Sequence, residues 1–205
     1  MKELEVDYQI IGKENVPSNK SAIYVANHPY GVIDSLVLLG GLGAIIEEKN
    51  RNLKVVGTHK LKMIRGIEDK VIFVDASLRE DHPLRTTEIK PNIASLRNAI
   101  CYIRGGGDLA IFPAAEPSKK NLEDFPWKEG VVKIASKYCD TIVPMWCSGP
   151  DHGKWYNFLS SIDMRLRTTA TCIEAWNKSG KKIILNVGTP LSVKEMNGSG
   201  LSNGE

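Results

Sequence analysis

The chain has 205 residues, 42% of them hydrophobic and 25% charged, with a formal net charge of +3. That length builds one domain with a sizeable core and is short for two, and the composition is that of an ordinary globular protein. So mild a charge neither demands nucleic acid nor excludes an anionic membrane surface.

Four cysteines, Cys101, Cys139, Cys147 and Cys172, have no paired spacing and read as reduced core thiols of a cytosolic protein rather than a disulfide framework or a zinc site. The segment Met1 to Asp7 lacks the apolar core of a signal peptide. The longest apolar stretch, Leu36 to Ile46, is too short to span a bilayer. A soluble or peripheral protein is expected.

Leu4 to Ile11 alternates as an edge strand does, and the turn-rich Lys13 to Asn19 follows. Ala22 to Ala26 is a nearly continuous apolar run, which suits a strand covered on both faces. Asn27, His28, Pro29, Tyr30 and Gly31 break that pattern, since Pro fixes its own dihedral and Gly opens backbone geometry closed to other residues. A buried helix from Ile33 to Ile46 comes next, weakened by Gly40, Gly41 and Gly43, which permit close packing. Asn27 and His28 therefore sit at a strand end, where open α/β sheets bind ligands.

His28 is the only group in this turn that takes and returns a proton near neutral pH. Asp34 can accept a hydrogen bond from one imidazole nitrogen, fixing the tautomer and stabilising the imidazolium. The residues alone leave a second reading open. In it Asp34 is the N-cap or first-turn acid of the helix, and His28 satisfies buried backbone groups.

Leu53 to Gly57 and Val71 to Val74 are the next strands. Between them Lys60, Lys62 and Arg65 flank Leu61, Met63 and Ile64, either as a patch for anionic headgroups or an acidic carrier protein, or as a solvated rim. Asp75 to Lys90 is charged and irregular. Asn92 to Arg104 is the clearest helix, with Ile93, Leu96, Ile100 and Ile103 on one face and Gly105 to Gly107 ending it. Leu109 to Phe112 is a fully buried strand stopped by Pro113, so Glu116 and Ser118 fall just past a second strand end. If the two strands are parallel, both polar turns share one rim of the sheet.

Val131, Ile134, Ala135 and Tyr138 mark another helix face, and Thr141 to Cys147 a strand whose Pro144 reads as an edge or bulge. Ser148, Asp151 and His152 lie too close together for triad geometry, and no nucleophile elbow is present. The aromatic segment Lys154 to Leu159 reads as core packing ahead of membrane contact. Ile162, Leu166, Ala170, Ile173 and Trp176 give an amphipathic helix, and Lys182 to Val187 a last strand. The domain is expected to end at residue 193, with a disordered polar tail from Lys194 to Glu205.

Asn27-His28-Pro29-Tyr30-Gly31-Val32-Ile33-Asp34 resembles the first motif of the glycerolipid and lysophospholipid acyltransferase superfamily, with five residues between His and Asp where most members have four. That spacing, the Pro and the Gly are similar to the hemolysin-like and lyso-ornithine-lipid branch, as is Ile111-Phe112-Pro113-Ala114-Ala115-Glu116-Pro117-Ser118 to that branch's third motif. Val143-Pro144 resembles the fourth. The resemblance implies one α/β domain, a central mixed β-sheet flanked by helices, glycerol-3-phosphate acyltransferase-like. It implies transfer of an acyl group from acyl-CoA or an acyl carrier protein, as co-substrate, to a lyso-lipid or amino-acid-derived lipid acceptor.

In that reading His28 is the general base and Asp34 orients it. Asn27, Gly31, Glu116, Ser118 and Lys119 form the substrate-binding set, Lys120 stands beside them, and main-chain amides near Gly31 serve the oxyanion. For Ser118 and its lysines a plain turn with solvated cations is the alternative. The motif lacks the family's usual Arg, which points away from a phosphate acceptor. No metal or nucleic acid is implied, and peripheral attachment to the inner face of the cytoplasmic membrane is expected. A catalytically inactive lipid- or carrier-binding homologue and a thioesterase are the competing functions.

Overall fold

A computed structural model describes residues 7–74, 90–119, 121–162 and 164–198. The charged stretch expected from Asp75, Lys120 and the last seven residues of the tail lie outside the described residues. Eight strands form one mixed sheet: β1 (Asp7–Ile11), β2 (Ile23–Ala26), β3 (Leu53–Thr58), β4 (Val71–Val74), β5 (Asp108–Ile111), β6 (Thr141–Ser148), β7 (Lys182–Val187) and β8 (Leu191–Ser192). Their order is β1-β7-β6-β2-β5-β3-β4, with β8 also pairing β6.

β2 lies at the centre, parallel to β5 on one side and to β6 on the other. Its four residues are buried and alternate between two cores. Tyr24 and Ala26 join the cluster under the helices α1 (Val32–Val37) and α2 (Gly43–Glu47), which also takes in Ala175 of α6 (Met164–Asn177). Ile23 and Val25 join the cluster under α3 (Lys90–Arg104), α4 (Gly130–Tyr138) and Val193 at the start of α7 (Val193–Gly198). A strand covered on both faces reads as a nearly continuous apolar run, and burying a side chain such as Ile23 or Val25 is worth about 1.5–3 kcal/mol. The seventh helix to be named, α5 (Lys154–Ile162), packs on α6, and a π-turn, Leu38–Leu42, joins α1 to α2.

Of the three glycines of that helical run, Gly41 is the one that close packing requires. A Cβ on Gly41 would stand 2.7 Å from both Ile10 and Tyr8 of β1, so the edge strand lies directly against the helix. Several expectations need correction. Pro144 is in an interior strand, at the point where the outer neighbour of β6 changes from β8, paired at Thr141 and Ile142, to β7, paired from Met145. No ladder bond is asked of its nitrogen there, while its carbonyl accepts from Gly188 N at 2.8 Å.

Ile93 and Leu96 are exposed, and the buried face of α3 runs through Ala99 and Ile103. Cys101 is exposed and Cys139 half-buried, leaving Cys147 as the buried thiol among the described cysteines. Val193–Gly198, where a disordered tail is expected from Lys194, is helical and packs against α4. Among the described residues no helix is long and apolar enough to cross a membrane.

Candidate active site

The site is built where β2 and β5 end. Their register pairs Val25 with Ile111, so the two following turns leave the same rim side by side, and the His28 ring stacks on Phe112 with centroids 4.0 Å apart. Ser118 N closes the join by donating to His28 O at 2.8 Å. The parallel pairing that the two motifs require is therefore present.

After β2 the chain turns through Gly31 at φ +70°, a conformation other residues adopt only with strain. That turn brings Asp34, in the first turn of α1, back beneath His28. Asp34 Oδ2 receives His28 Nδ1 at 2.9 Å, Tyr30 N at 2.8 Å and Gly31 N at 2.9 Å. The carboxylate is 1% exposed and the imidazole 13%. An oxygen already accepting two main-chain N–H groups is an acceptor toward the ring as well, so Nδ1 carries a hydrogen, and in the neutral ring the lone pair is then on Nε2.

The other carboxylate oxygen accepts from Cys147 Sγ at 3.4 Å. Burial, and then the Asp34 charge, push the Cys147 thiol well above its ordinary value, so it stays a neutral donor and not a nucleophile.

The amides of Tyr30 and Gly31 cannot serve an oxyanion while Asp34 holds them, which corrects that expectation. Asn27 is buried, with its Nδ2 donating to Cys147 O at 2.8 Å and its Oδ1 accepting from Cys147 N at 2.6 Å. Both ends of this amide pin the turn to β6. Ser118 is also buried. Its hydroxyl donates to Asp124 Oδ1, and its carbonyl accepts from Tyr156 Oη at 2.7 Å. Lys119 is half-exposed, paired to Glu123 at 3.2 Å and set over the Phe125 ring. Glu116 is half-buried, beside Ala115, whose φ of +61° makes the tight turn after Phe112.

Asp124 escapes sequence reasoning. It accepts His28 N at 3.2 Å as well as Ser118 Oγ, and Trp127 Nε1 donates to its second oxygen at 2.9 Å. It lies in an irregular loop, so no periodicity marks it; a single acidic residue among solvated ones carries no signal of its own.

A second buried polar group lies alongside. Glu174 receives Lys178 Nζ at 2.6 Å, His152 Nδ1 at 3.4 Å and Gly153 N at 3.1 Å. Burial alone would raise its carboxyl, but the hydrogen bonds of His152 and Lys178 outweigh it and hold the group down at about 2. His152 thus pairs with Glu174 and stacks on Tyr156, and the hydrolase set of neighbouring residues is not assembled. Among the described residues no group of His, Cys, Asp and Glu is placed to hold a metal ion. A cavity of about 650 Å³ is lined by Lys54, His59, Phe73, Ser95 and Tyr102 among others and by none of the motif residues.

Residues 7–148 match the protein family described as Acyltransferase. The chain is 23% identical over 201 residues to the Lyso-glycine lipid O-acyltransferase of Phocaeicola vulgatus, covering 93% of this chain and 66% of that protein. It is 24% identical over 146 residues to the 1-acyl-sn-glycerol-3-phosphate acyltransferase of Bacillus subtilis, covering 71% of this chain and 65% of that one. Its fold is similar to the crystal structure of the 1-acyl-sn-glycerophosphate (LPA) acyltransferase, PlsC, from Thermotoga maritima. There the TM-score is 0.57 at 19% identity, over 92% of this chain and 63% of that chain. The chain thus spans just under two thirds of the length of these relatives.

Proposed function

The chain belongs to the Acyltransferase family, and on that premise we propose that it moves a fatty acyl group from a thioester, carried by acyl carrier protein or coenzyme A, to a lyso-lipid. The observation that carries this reading is the buried carboxylate of Asp34 holding His28 Nδ1 at 2.9 Å, at a sheet rim shared with the second motif. Nε2 of His28 takes the proton of the acceptor hydroxyl or amine as that atom attacks the thioester carbonyl. The tetrahedral adduct collapses, the carbon–sulfur bond breaks, and the thiolate recovers the proton from the imidazolium. Asp34 holds the tautomer and faces the transient positive charge. No enzyme nucleophile is needed, which agrees with the protonated, buried Cys147.

The substrate-binding set divides by its surroundings. Asn27, Ser118 and Gly31 brace the turn, whereas Glu116 and Lys119 are accessible enough to meet a ligand. Glu116, in a motif without Arg, favours an amino-acid-derived headgroup over a phosphate. One named relative acts on a lyso-glycine lipid and another on an acylglycerol phosphate, so both headgroups belong in the assay. Because the product is a membrane lipid, peripheral attachment to the cytoplasmic membrane follows.

The test is thiol release from acyl-CoA and acyl-carrier-protein donors, with and without lyso-lipid, for wild type and His28→Ala. Acceptor-dependent release that the substitution abolishes is expected. Acceptor-independent release would make the protein a thioesterase. Donor binding without release by folded wild-type protein would make it a binding homologue.

A further inference from the structure

The helix pair that backs the site turns its apolar residues outward. On α5, Trp155, Phe158 and Ile162 follow helical spacing and are 67%, 56% and 58% exposed. On α6, Leu166, Ile173 and Trp176 do the same, and Trp176 is 56% exposed. The expectation of core packing for the segment Lys154 to Leu159 is thus overturned for Trp155 and Phe158, whereas Tyr156 is buried and Leu159 half-buried. The core side of α6 instead carries Ala170, Thr171, Glu174 and Ala175. Trp155 of one helix and Ile173 and Trp176 of the other line a single cleft of about 240 Å³, so the two apolar faces are continuous.

From this geometry we infer that the outer face of α5 and α6 docks on an anionic lipid surface. Six large apolar side chains on one face exceed what scattered surface residues explain. The charge around them chooses the occupant. Residues 154–182 contain six basic and two acidic residues. One of the acids, Glu174, is buried against Lys178, while Lys154, Lys181 and Lys182 are exposed. Trp and Phe amid lysines suit the headgroup region of a bilayer. Two copies meeting through this face would instead bring like charges together.

The inference rests on the lyso-lipid reading above and adds where the lipid meets the protein. The same two helices touch the site from their other side. Tyr156 of α5 bonds Ser118 O, and a Cβ on Gly31 would meet Thr171 of α6 at 3.0 Å. Docking therefore holds His28 within roughly one helix diameter, about 10 Å, of the lipid surface.

The experiment is flotation of the purified protein with phosphatidylcholine vesicles and with vesicles that also contain phosphatidylglycerol. It compares wild type with Trp155→Ser/Phe158→Ser and with Trp176→Ser. These residues are exposed, and a retained melting temperature checks folding. Wild type is expected to partition onto the anionic vesicles and to be released by high salt. The double variant should partition roughly tenfold or more weakly while turning over a monomeric short-chain lyso-lipid as wild type does. Absence of wild-type binding, or equal binding by the variants, overturns the inference. So does a dimer in solution that the variants dissolve. Loss of turnover on every substrate with vesicle binding intact would instead overturn the proposed function.

Discussion

Replacing Asp34 by Asn tests the heart of the mechanism. The amide oxygen can still accept from the main chain, but the charge facing the ring is gone. Either its NH2 confronts the Cys147 thiol, or it confronts Nδ1 of His28 and turns the wrong tautomer toward the substrate. In the ground state the loss is modest. Three N–H groups meet a neutral oxygen in place of a charged one, at a cost of about 2 kcal/mol in stability.

In the transition state the imidazole is positive. A unit charge pair about 4 Å apart in a partly buried site is worth about 4 kcal/mol. At about 1.4 kcal/mol per decade, kcat should fall roughly a thousandfold. The carboxylate is 1% exposed and touches no substrate, so the KM for the donor should stay near the wild-type value. Thiol release under saturating donor and acceptor measures kcat, and urea unfolding measures the stability loss. A folded variant retaining kcat within tenfold of wild type would refute the assignment of His28 as the base oriented by Asp34.

Two further outcomes follow from the surrounding network. Asp124→Ala leaves His28 N, Ser118 Oγ and Trp127 Nε1 without their acceptor, and should cost about 2–4 kcal/mol in urea unfolding, with turnover reduced at the same time; a loss under about 0.5 kcal/mol would show that the loop is held otherwise. At the opposite end of β5, burial pushes the Asp108 carboxyl up to about 6 from an ordinary 3.8, against the pull of Ala22 N and Arg51. The folded chain binds this proton more tightly than the unfolded chain, so the stability it contributes is full below 3.8 and is lost as pH rises toward 6, in all about 3 kcal/mol. Asp108→Asn should flatten that part of the stability–pH profile, and an unchanged slope would contradict the shift.

What the sequence determined by itself is local. An apolar run followed by Pro and Gly dictates a strand, a turn and a helix, and so puts His28 and Asp34 within reach of one another. The second buried run, Leu109 to Phe112, puts Glu116 and Ser118 past another strand end. The pairing of β2 with β5, needed for the two turns to form one site, is a long-range contact that only the folded sheet decides.

The same holds for each correction. The main-chain N–H groups of Tyr30 and Gly31 are claimed by Asp34 only because Gly31 takes a positive φ and folds the turn over the helix. Asp124 becomes a brace only when its loop closes on His28. Periodicity tells which residues of a helix share a face. It does not tell which way that face turns, because the choice belongs to whatever packs against the helix. Hence Ile93 and Leu96 of α3, and Trp155, Phe158 and Trp176 of α5 and α6, lie outward although their spacing is that of a core. Buried Glu174 and Lys178 take the inward side because each neutralises the other there.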